Sequence, residues 1–348
     1  MLTRTIERIG KLDREVMAKT QARLDNLTKP QGSLGTLEEI AARLAGIVRD
    51  PFPSVKDKVV VVMAGDHGVV EEGVSAFPPA VTPQMVYNFI RGGAGINVLA
   101  RHAGARVAVV DVGVAAEIQH PLLLGRKVRP GTANLARGPA MSREEARRAI
   151  EVGIEVVWGE IDRGADLVAT GDMGIGNTTP SSAILAAFTG LPVDEIVGRG
   201  TGIDDGRLRL KKQAIARALE VNRPDSADAL DVLAKVGGLE IGGLAGVILG
   251  AAARRTPVVI DGFIAGAAAL LAARLAPRSV DFMFASHVSQ EPGHLRILEE
   301  LGLQPMLHLN MRLGEGTGAA LAFHLIEAAT KILGEMATFS EAGVSEAL

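Results

Sequence analysis

The chain has 348 residues, of which 47% are hydrophobic and 22% charged, so one large domain or two modest globular domains can form. A net charge of −3 leaves no broad basic surface to neutralise phosphates, which argues against a nucleic-acid-binding protein. The chain contains no cysteine, and this excludes disulfides, thiolate zinc sites and thiol nucleophiles.

The first fifty residues are predicted to be helical. Hydrophobic residues recur at helical spacing from Ile6 to Leu12 and again over residues 37–47, and a loop rich in Pro and Gly separates them at residues 28–35. The opening residues are polar and lack the hydrophobic segment of a secretory signal peptide, so we expect a cytoplasmic protein. The segment Pro51-Phe52-Pro53 then indicates a hinge.

After the hinge, short hydrophobic runs alternate with longer Ala-rich helical stretches. The runs are mostly continuous, as in strands that are buried on both faces of a parallel sheet. This alternation predicts a Rossmann-like, doubly wound α/β fold with a mainly parallel six-stranded sheet. The predicted strands are Val59–Met63, Val107–Val112, Asp166–Ala169, Pro257–Ile260, Val280–Ala285 and Met306–Leu309.

Two other hydrophobic stretches are predicted to be helices. Residues 258–276 form the most membrane-like segment, but Asp261 and Arg274 within it favour a helix buried in a protein core, and no membrane contact is expected. A last helix is predicted from about Glu315 to Gly334, packed against the N-terminal helices.

Each predicted strand is followed by Gly or by a small polar or charged residue. Ligands of doubly wound sheets bind beyond the carboxyl ends of the strands, so we expect the functional site at this edge. The most informative segment is residues 170–179, where Gly174-Ile175-Gly176 leads through Asn177 into a helix. Free N–H groups at such a helix start can bind a phosphate. A plain turn with a capping Asn or Thr explains the same pattern equally well.

Three further features follow the strands. A second Gly-rich loop at residues 198–205 precedes a helix with Lys211 and Lys212; one of these lysines could reach a phosphate, but spacing alone favours a solvated helix face. Glu315 lies between two glycines at a helix start, where spacing alone favours a first-turn Glu whose negative charge the helix dipole stabilises. The same dipole would keep its carboxylate ionised and able to accept a proton.

The histidines that follow strands lack the spacing of metal ligands. No His-x-x-x-His or His-Glu-x-x-His pattern is present, so no metal site is predicted. Structural, hydrogen-bonded roles are therefore favoured for His67, which follows Asp66, and for His287 and His294.

Six segments, in the same order, resemble the nicotinate-nucleotide–5,6-dimethylbenzimidazole phosphoribosyltransferase family of cobamide assembly. The resemblance extends from about Leu24 to about Gly334, nearly the whole chain. The segments are LTKPQGSLGTLEEIA, AGDHGVVEEGVS, GDMGIGNTT, GRGTGIDD, ASHVSQEPGH and RLGEGTGAAL.

This resemblance implies a reaction and an architecture. The family transfers the 5-phosphoribosyl group of nicotinate mononucleotide to 5,6-dimethylbenzimidazole, which gives α-ribazole 5′-phosphate and nicotinate, and it needs no cofactor. A Rossmann-like domain over residues 51–310 would carry the active site. Residues 1–50 together with about 311–348 would form a small helical domain, and two chains would form a homodimer.

The resemblance also implies roles for individual residues. Glu315 matches the family's catalytic base, and Asp172 stands where the family often has Glu, as a possible accessory acid. The base pocket departs from the family pattern at Phe77 or Met85, where a polar residue is expected, so the preferred base stays open. The positions implied for the nucleotide are Gly174, Ile175, Gly176, Asn177, Lys211, Asp261, Ser289 and Gly316. The positions implied for the benzimidazole are Phe77, Gln84, Met85, Met173 and Leu313.

Three alternative functions remain to be separated. One is a phosphoribosyltransferase with another acceptor or an N-ribohydrolase, and the second is a nucleotide sensor without turnover. The intact Gly314-Glu315-Gly316 argues against the sensor. A dehydrogenase is the weakest alternative, because the loop at residues 174–177 lacks the third glycine of a dinucleotide fingerprint.

Overall fold

A six-stranded parallel sheet forms the centre of the computed structural model, which describes residues 1–345. The strand order is β3-β2-β1-β4-β5-β6, the order of a Rossmann-like doubly wound sheet, and it confirms the predicted fold class. The strands are β1 (Lys58–Gly65), β2 (Ala105–Gly113), β3 (Leu123–Gly125), β4 (Leu167–Met173), β5 (Val258–Ile260) and β6 (Met283–Ala285).

Helices cover both faces of this sheet and also form the first and last elements of the described chain. They are α1 (Leu2–Glu7), α2 (Arg14–Asp25), α3 (Thr36–Val48), α4 (Val81–Ile90), α5 (Gly95–His102), α6 (Arg143–Asp162), α7 (Thr178–Thr189), α8 (Val193–Ile196), α9 (Asp205–Asn222), α10 (Ala229–Val236), α11 (Leu239–Ala253), α12 (Phe263–Leu275), α13 (Pro292–Leu301), α14 (Thr317–Glu335) and α15 (Phe339–Ala342).

The central strand β1 shows why the sheet is buried. All eight of its residues are buried, and β2 and β4 flank it in parallel register. Its run of Val residues suits this position, because branched side chains pack well on both faces of a covered strand. The interior is therefore filled mainly by aliphatic side chains and Ala.

Two of the predicted strands need correction. The prediction of a strand at Met306–Leu309 was wrong: only Leu307 forms a single parallel bridge, to His287. The sixth strand is instead β3, three residues long and therefore without a recognisable pattern in the sequence. The first part of the predicted strand Val280–Ala285 lies in a 3-10 helix at Pro277–Phe282, so β6 begins only at Met283.

Both chain ends lie against each other. Helix α14 contacts the N-terminal helices α2 and α3 and the strands β4 and β5. Leu27 and Thr338 form an antiparallel bridge. The division into a small helical domain and a domain at 51–310 stays a prediction, and its residues 346–348 lie outside the described part of the chain.

The segment predicted as a buried helix, residues 258–276, forms β5 followed by the buried helix α12. No helix within residues 1–345 is long and apolar enough to cross a membrane.

Candidate active site

A cleft of about 480 Å³ opens at the carboxyl edge of the sheet. It lies beside the point where the strand order reverses between β1 and β4, which is where doubly wound sheets bind ligands. The segments that follow β4, β5 and β6 all contribute to its walls. The lining residues are Val74, Ser75, Phe77, Asp172, Gly176, Asn177, Thr178, Gly200, Thr201, Gly262, Phe263, Ile264, His287, Ser289, Glu291, Arg312, Leu313 and Gly314.

The first glycine loop, residues 174–177, joins β4 to α7 at this cleft. Gly176 has a φ of 89°, a conformation that favours glycine. The side chain of Asn177 does not cap α7; its Nδ2 donates a hydrogen bond of 2.8 Å to Asp172 Oδ2. Asn177 therefore does not have the capping role that the sequence also allowed. The start of α7 at Thr178 faces the cleft.

Lys211 lies beneath the first glycine loop and the second Gly-rich loop, residues 198–205. Its side chain is fully buried, and Nζ donates to Thr178 Oγ1 at 2.7 Å and to the Gly198 carbonyl at 3.0 Å. Burial lowers the pKa of Lys211 to about 8, against the opposing effect of the Glu291 charge. The interpretation as a solvated helix face therefore fits Lys212, which pairs with Asp194 at 2.7 Å, but it does not fit Lys211.

Two charged residues that the sequence did not single out hold the second glycine loop from the cleft side. Glu291 Oε1 accepts the Gly200 N–H at 2.8 Å, and Arg312 Nη1 donates to the Gly200 carbonyl at 3.0 Å. Glu291 directly precedes Pro292, so in the sequence it reads as a residue at the start of α13. Its place in the segment ASHVSQEPGH is the signal that could have identified it.

Glu315 occupies a strained turn before α14, not the first turn of that helix. Its φ is 64°, and the flanking Gly314 and Gly316 also have positive φ values. Glu315 is buried, and its Oε2 accepts the Ile96 N–H of α5 at 3.1 Å. Burial raises the pKa of Glu315, opposed by the Ile96 hydrogen bond and reinforced by the charge of Asp261.

Asp261 fixes the start of α14. Its Oδ2 accepts the Gly316 N–H at 3.1 Å and its Oδ1 accepts the Ala319 N–H at 3.0 Å. Because Asp261 is almost completely buried, burial raises its pKa, and the nearby His287 opposes this effect. Asp261 is therefore a support of the Glu315 turn and lies outside the cleft wall.

Asp172 lines the cleft at the end of β4. Burial raises its pKa to about 8; the charge of Asp261 adds to this shift, and the hydrogen bond from Asn177 opposes it. Asp172 is consequently protonated at neutral pH and can donate a hydrogen bond. Gly314 lies opposite, since a Cβ at that position would be 3.2 Å from Asp172 Oδ1.

Ser289 belongs to the cleft wall and is oriented through His294. The Ser289 N–H donates to His294 Nδ1 at 2.8 Å. Burial, with a smaller contribution from His287, lowers the pKa of His294 to about 3, so this ring is neutral and accepts that bond. His287 Nδ1 lies 3.0 Å from Ser286 Oγ. The described residues hold no cluster of three or more His, Cys, Asp or Glu side chains suited to a metal ion.

The residues predicted for the benzimidazole are only partly brought together. Phe77 and Leu313 line the cleft with half or more of their surface exposed. Gln84 is exposed on α4, and Met85 is half-buried on the same helix; neither belongs to the lining. Met173 packs against the hydrophobic core beneath.

Comparison with known proteins agrees with this geometry. A family model described as "Phosphoribosyltransferase" matches residues 9–344. The nicotinate-nucleotide–dimethylbenzimidazole phosphoribosyltransferase of Desulforamulus reducens is 62% identical over 99% of both chains, and that of Chloroflexus aggregans is 61% identical over 99% of this chain and 98% of its own. The chain belongs to this family.

A solved structure supports the same assignment. The crystal structure of CobT from Thermus thermophilus has 54% sequence identity and a TM-score of 0.93, and the match covers 96% of this chain and all of that one. The chain is therefore an enzyme, a phosphoribosyltransferase.

Proposed function

We propose that this enzyme transfers the 5-phosphoribosyl group of nicotinate mononucleotide to 5,6-dimethylbenzimidazole in cobalamin nucleotide-loop assembly. The products are α-ribazole 5′-phosphate and nicotinate. The observation that carries the proposal is the family membership over nearly the whole chain, joined to a cleft with two glycine loops and a strained acidic turn at one edge of the sheet.

The nucleotide is bound at the two glycine loops. Helix α7 begins at the cleft, and the positive end of a helix with free backbone N–H groups attracts a phosphate. Lys211 lies directly below, where its ammonium holds Thr178 and Gly198 in place. Holding the ribose and the attacking ring in line can supply roughly 7–11 kcal/mol of the barrier.

Glu315 is the base in this proposal. The pyridine ring of nicotinate departs neutral, so its departure needs no acid. The benzimidazole attacks through its unprotonated nitrogen, and the N–H of its other nitrogen becomes acidic as the ring gains positive charge. A carboxylate whose pKa is raised by burial is a better proton acceptor near neutral pH than an exposed one.

The acceptor ring enters between Leu313 and α5. Gly95, at the start of α5, lies close to both residues: a Cβ there would be 3.0 Å from Leu313 Cδ2 and 3.3 Å from Glu315 Oε2. Leu313 lines the cleft and the buried Glu315 does not, so the ring must displace the exposed Leu313 side chain to reach the carboxylate. A flat apolar ring with one N–H suits a slot that has one carboxylate and apolar walls.

The first experiment incubates the purified protein with nicotinate mononucleotide and 5,6-dimethylbenzimidazole and follows the products by chromatography with mass detection. α-Ribazole 5′-phosphate is the expected product. Ribose 5-phosphate formed without the benzimidazole would indicate a hydrolase, and nucleotide binding without any product would indicate a sensor. Either result would overturn the proposal.

Glu315→Gln tests the base. We expect turnover to fall by about 10²–10⁴-fold, the usual contribution of a general base, with nicotinate mononucleotide binding retained. The turnover of the unchanged enzyme should also decline on the acid side as Glu315 takes up a proton, since only the carboxylate is a base. Calorimetric binding and product formation between pH 4 and 8 measure both effects. Unchanged turnover in the variant would remove Glu315 from this role.

We also propose that the enzyme is a cytoplasmic homodimer, as the family resemblance implies. Light scattering after size-exclusion chromatography should then give twice the 36.3 kDa of one chain. A mass of one chain at micromolar concentration would contradict the dimer.

A further inference from the structure

A fully buried pair of a His and a Glu side chain lies beneath the first glycine loop, outside the machinery described above. His67 Nε2 and Glu240 Oε1 are 2.8 Å apart, and neither side chain is exposed. His67 follows β1, and Glu240 lies in the first turn of α11, where a negative charge is favourable. The pair thus occupies the point between β1 and β4 where the strand order reverses.

The pair is in direct contact with the loop. A Cβ at Gly174 would lie 3.1 Å from His67 Nε2 and would collide with the Gly65 carbonyl oxygen. On the other side, a Cβ at Gly238 would lie 2.5 Å from His67 Cε1 and 2.7 Å from Glu240 Oε2. Gly174, at the start of the loop, therefore lies against His67 with no side chain between them, so a shift of His67 displaces this end of the loop.

Stability alone does not explain this arrangement. A buried pair of ionisable side chains rarely stabilises a fold more than apolar side chains of the same size would. Within the described residues, His67 Nδ1 and Glu240 Oε2 are buried without a hydrogen-bond partner. A pair that is unfavourable to bury and that supports a ligand-binding loop indicates a positioning role.

The charges facing the pair connect it to the cleft. Burial would lower the pKa of His67, but the charge and hydrogen bond of Glu240, with a smaller effect of Asp66, outweigh it and raise this pKa. The charge of Glu240 also reaches Asp172, where it adds to burial and to Asp261 and Glu315 in raising the pKa of that carboxyl.

We propose that the His67–Glu240 pair is a positioning element of phosphoribosyl transfer. The pair holds residues 174–177 in the position that nucleotide binding requires. The inference rests on the proposed function. Removing the negative charge of Glu240 should weaken binding of nicotinate mononucleotide. The loss should fall on KM rather than on kcat, because the pair supports the nucleotide-binding loop and not the base Glu315.

The test uses Glu240→Gln, which keeps the shape and a hydrogen-bond acceptor. We expect the Kd and the KM for nicotinate mononucleotide to rise by about tenfold or more, since small misplacements of a binding element can cost about a hundredfold. Gly238→Ala is the second variant, because it pushes on the pair without removing a charge. If Glu240→Gln does not fold, Gly238→Ala decides.

Glu160→Gln is the matched control. Glu160 is also a buried carboxylate in an ion pair, with Arg106 at 2.9 Å, but it lies near the amino end of β2. Its variant should lose stability without a change in nucleotide affinity. Unchanged Kd and KM in folded Glu240→Gln and Gly238→Ala would overturn the inference. A wild-type enzyme that forms no α-ribazole 5′-phosphate would instead overturn the proposed function, and the two failures are thereby distinguished.

Discussion

At the scale of single residues, environment decides the chemistry of the carboxyl groups at the cleft. Asp172, Asp261 and Glu315 are all buried, and each has a raised pKa because burial disfavours its charge. Their hydrogen bonds differ: Asp261 holds two backbone N–H groups, Glu315 holds one, and Asp172 holds the amide of Asn177. The same functional group therefore serves as a support, as a proposed base and as a neutral donor.

Asp172→Asn should stabilise the protein increasingly as pH rises. The folded state holds the Asp172 proton up to about pH 8, whereas the unfolded chain releases it near the ordinary pKa of an Asp. The contribution of protonated Asp172 to the free energy of unfolding of the wild type is therefore fully present below about pH 4. It is lost as pH rises towards 8, with a slope of at most about 1.4 kcal/mol per pH unit. An amide has no such titration. Urea unfolding of both proteins between pH 5 and 8 measures the difference.

The control for this prediction is Asp194→Asn, which changes a largely exposed carboxylate. Its effect on the free energy of unfolding should vary little between pH 5 and 8. A difference between Asp172→Asn and the wild type that is independent of pH would show that Asp172 is ionised in the folded protein.

At the scale of elements, glycines set how closely the helices approach. Helices α6 and α11 pack with their backbones in contact: a Cβ at Gly246 of α11 would collide with the Ile150 carbonyl oxygen and would lie 3.0 Å from the Cα of Gly153. Gly153 is similarly close to Gly243 of α11. Many glycines of this sequence thus serve helix packing, and only a few of them line the cleft.

Gly246→Ala should destabilise the protein by about 1–3 kcal/mol, the usual effect of overpacking a core. Gly159→Ala is the matched control on the exposed side of α6, where a Cβ would meet no atom within 4 Å. It should stabilise by about 0.5–1 kcal/mol, because Ala restricts the unfolded chain and suits a helix. Denaturant unfolding compares the two, and equal effects would contradict the packing argument.

At the scale of the whole molecule, the two chain ends close over the sheet. Lys58 at the start of β1 forms an ion pair of 2.9 Å with Glu327 of α14. Arg23 of α2 donates to the Leu333 carbonyl of the same helix at 3.0 Å. Because α14 begins at Thr317, two residues after Glu315, contacts far from the cleft fix the helix that follows the Glu315 turn.

Glu327→Gln should cost about 1 kcal/mol at pH 7, since Glu327 is partly exposed and its ion pairs are screened. Hydrogen bonds with Lys58 and Lys331 lower the pKa of Glu327 to about 2. The contribution of the Glu327 ion pairs to the free energy of unfolding is present above the ordinary pKa of a Glu and is lost as pH falls through about 2. Unfolding at pH 7 and pH 3 should show the cost shrink, whereas Glu335→Gln, an exposed site on α14, should change little at either pH.

Local sequence patterns determined the parts of this protein that depend on neighbours along the chain. Continuous hydrophobic runs such as Val59–Met63 predicted a covered parallel sheet, because short runs rich in β-branched residues favour strands that are buried on both faces. The glycine loop at residues 174–177 and the turn at Glu315 were found by their position after strands, and their roles came from a family resemblance. These features are encoded within a few consecutive residues.

Only the tertiary structure decided what depends on distant contacts. The three residues of β3 are a strand only because β2 lies beside them, and Met306–Leu309 is not a strand because only one of its residues is bridged to His287. Lys211 is buried by loops that are remote in sequence, and Asp172 keeps its proton because residues from three other segments surround it. Burial and electrostatic coupling arise from the packed assembly, so no local pattern of residues contains them.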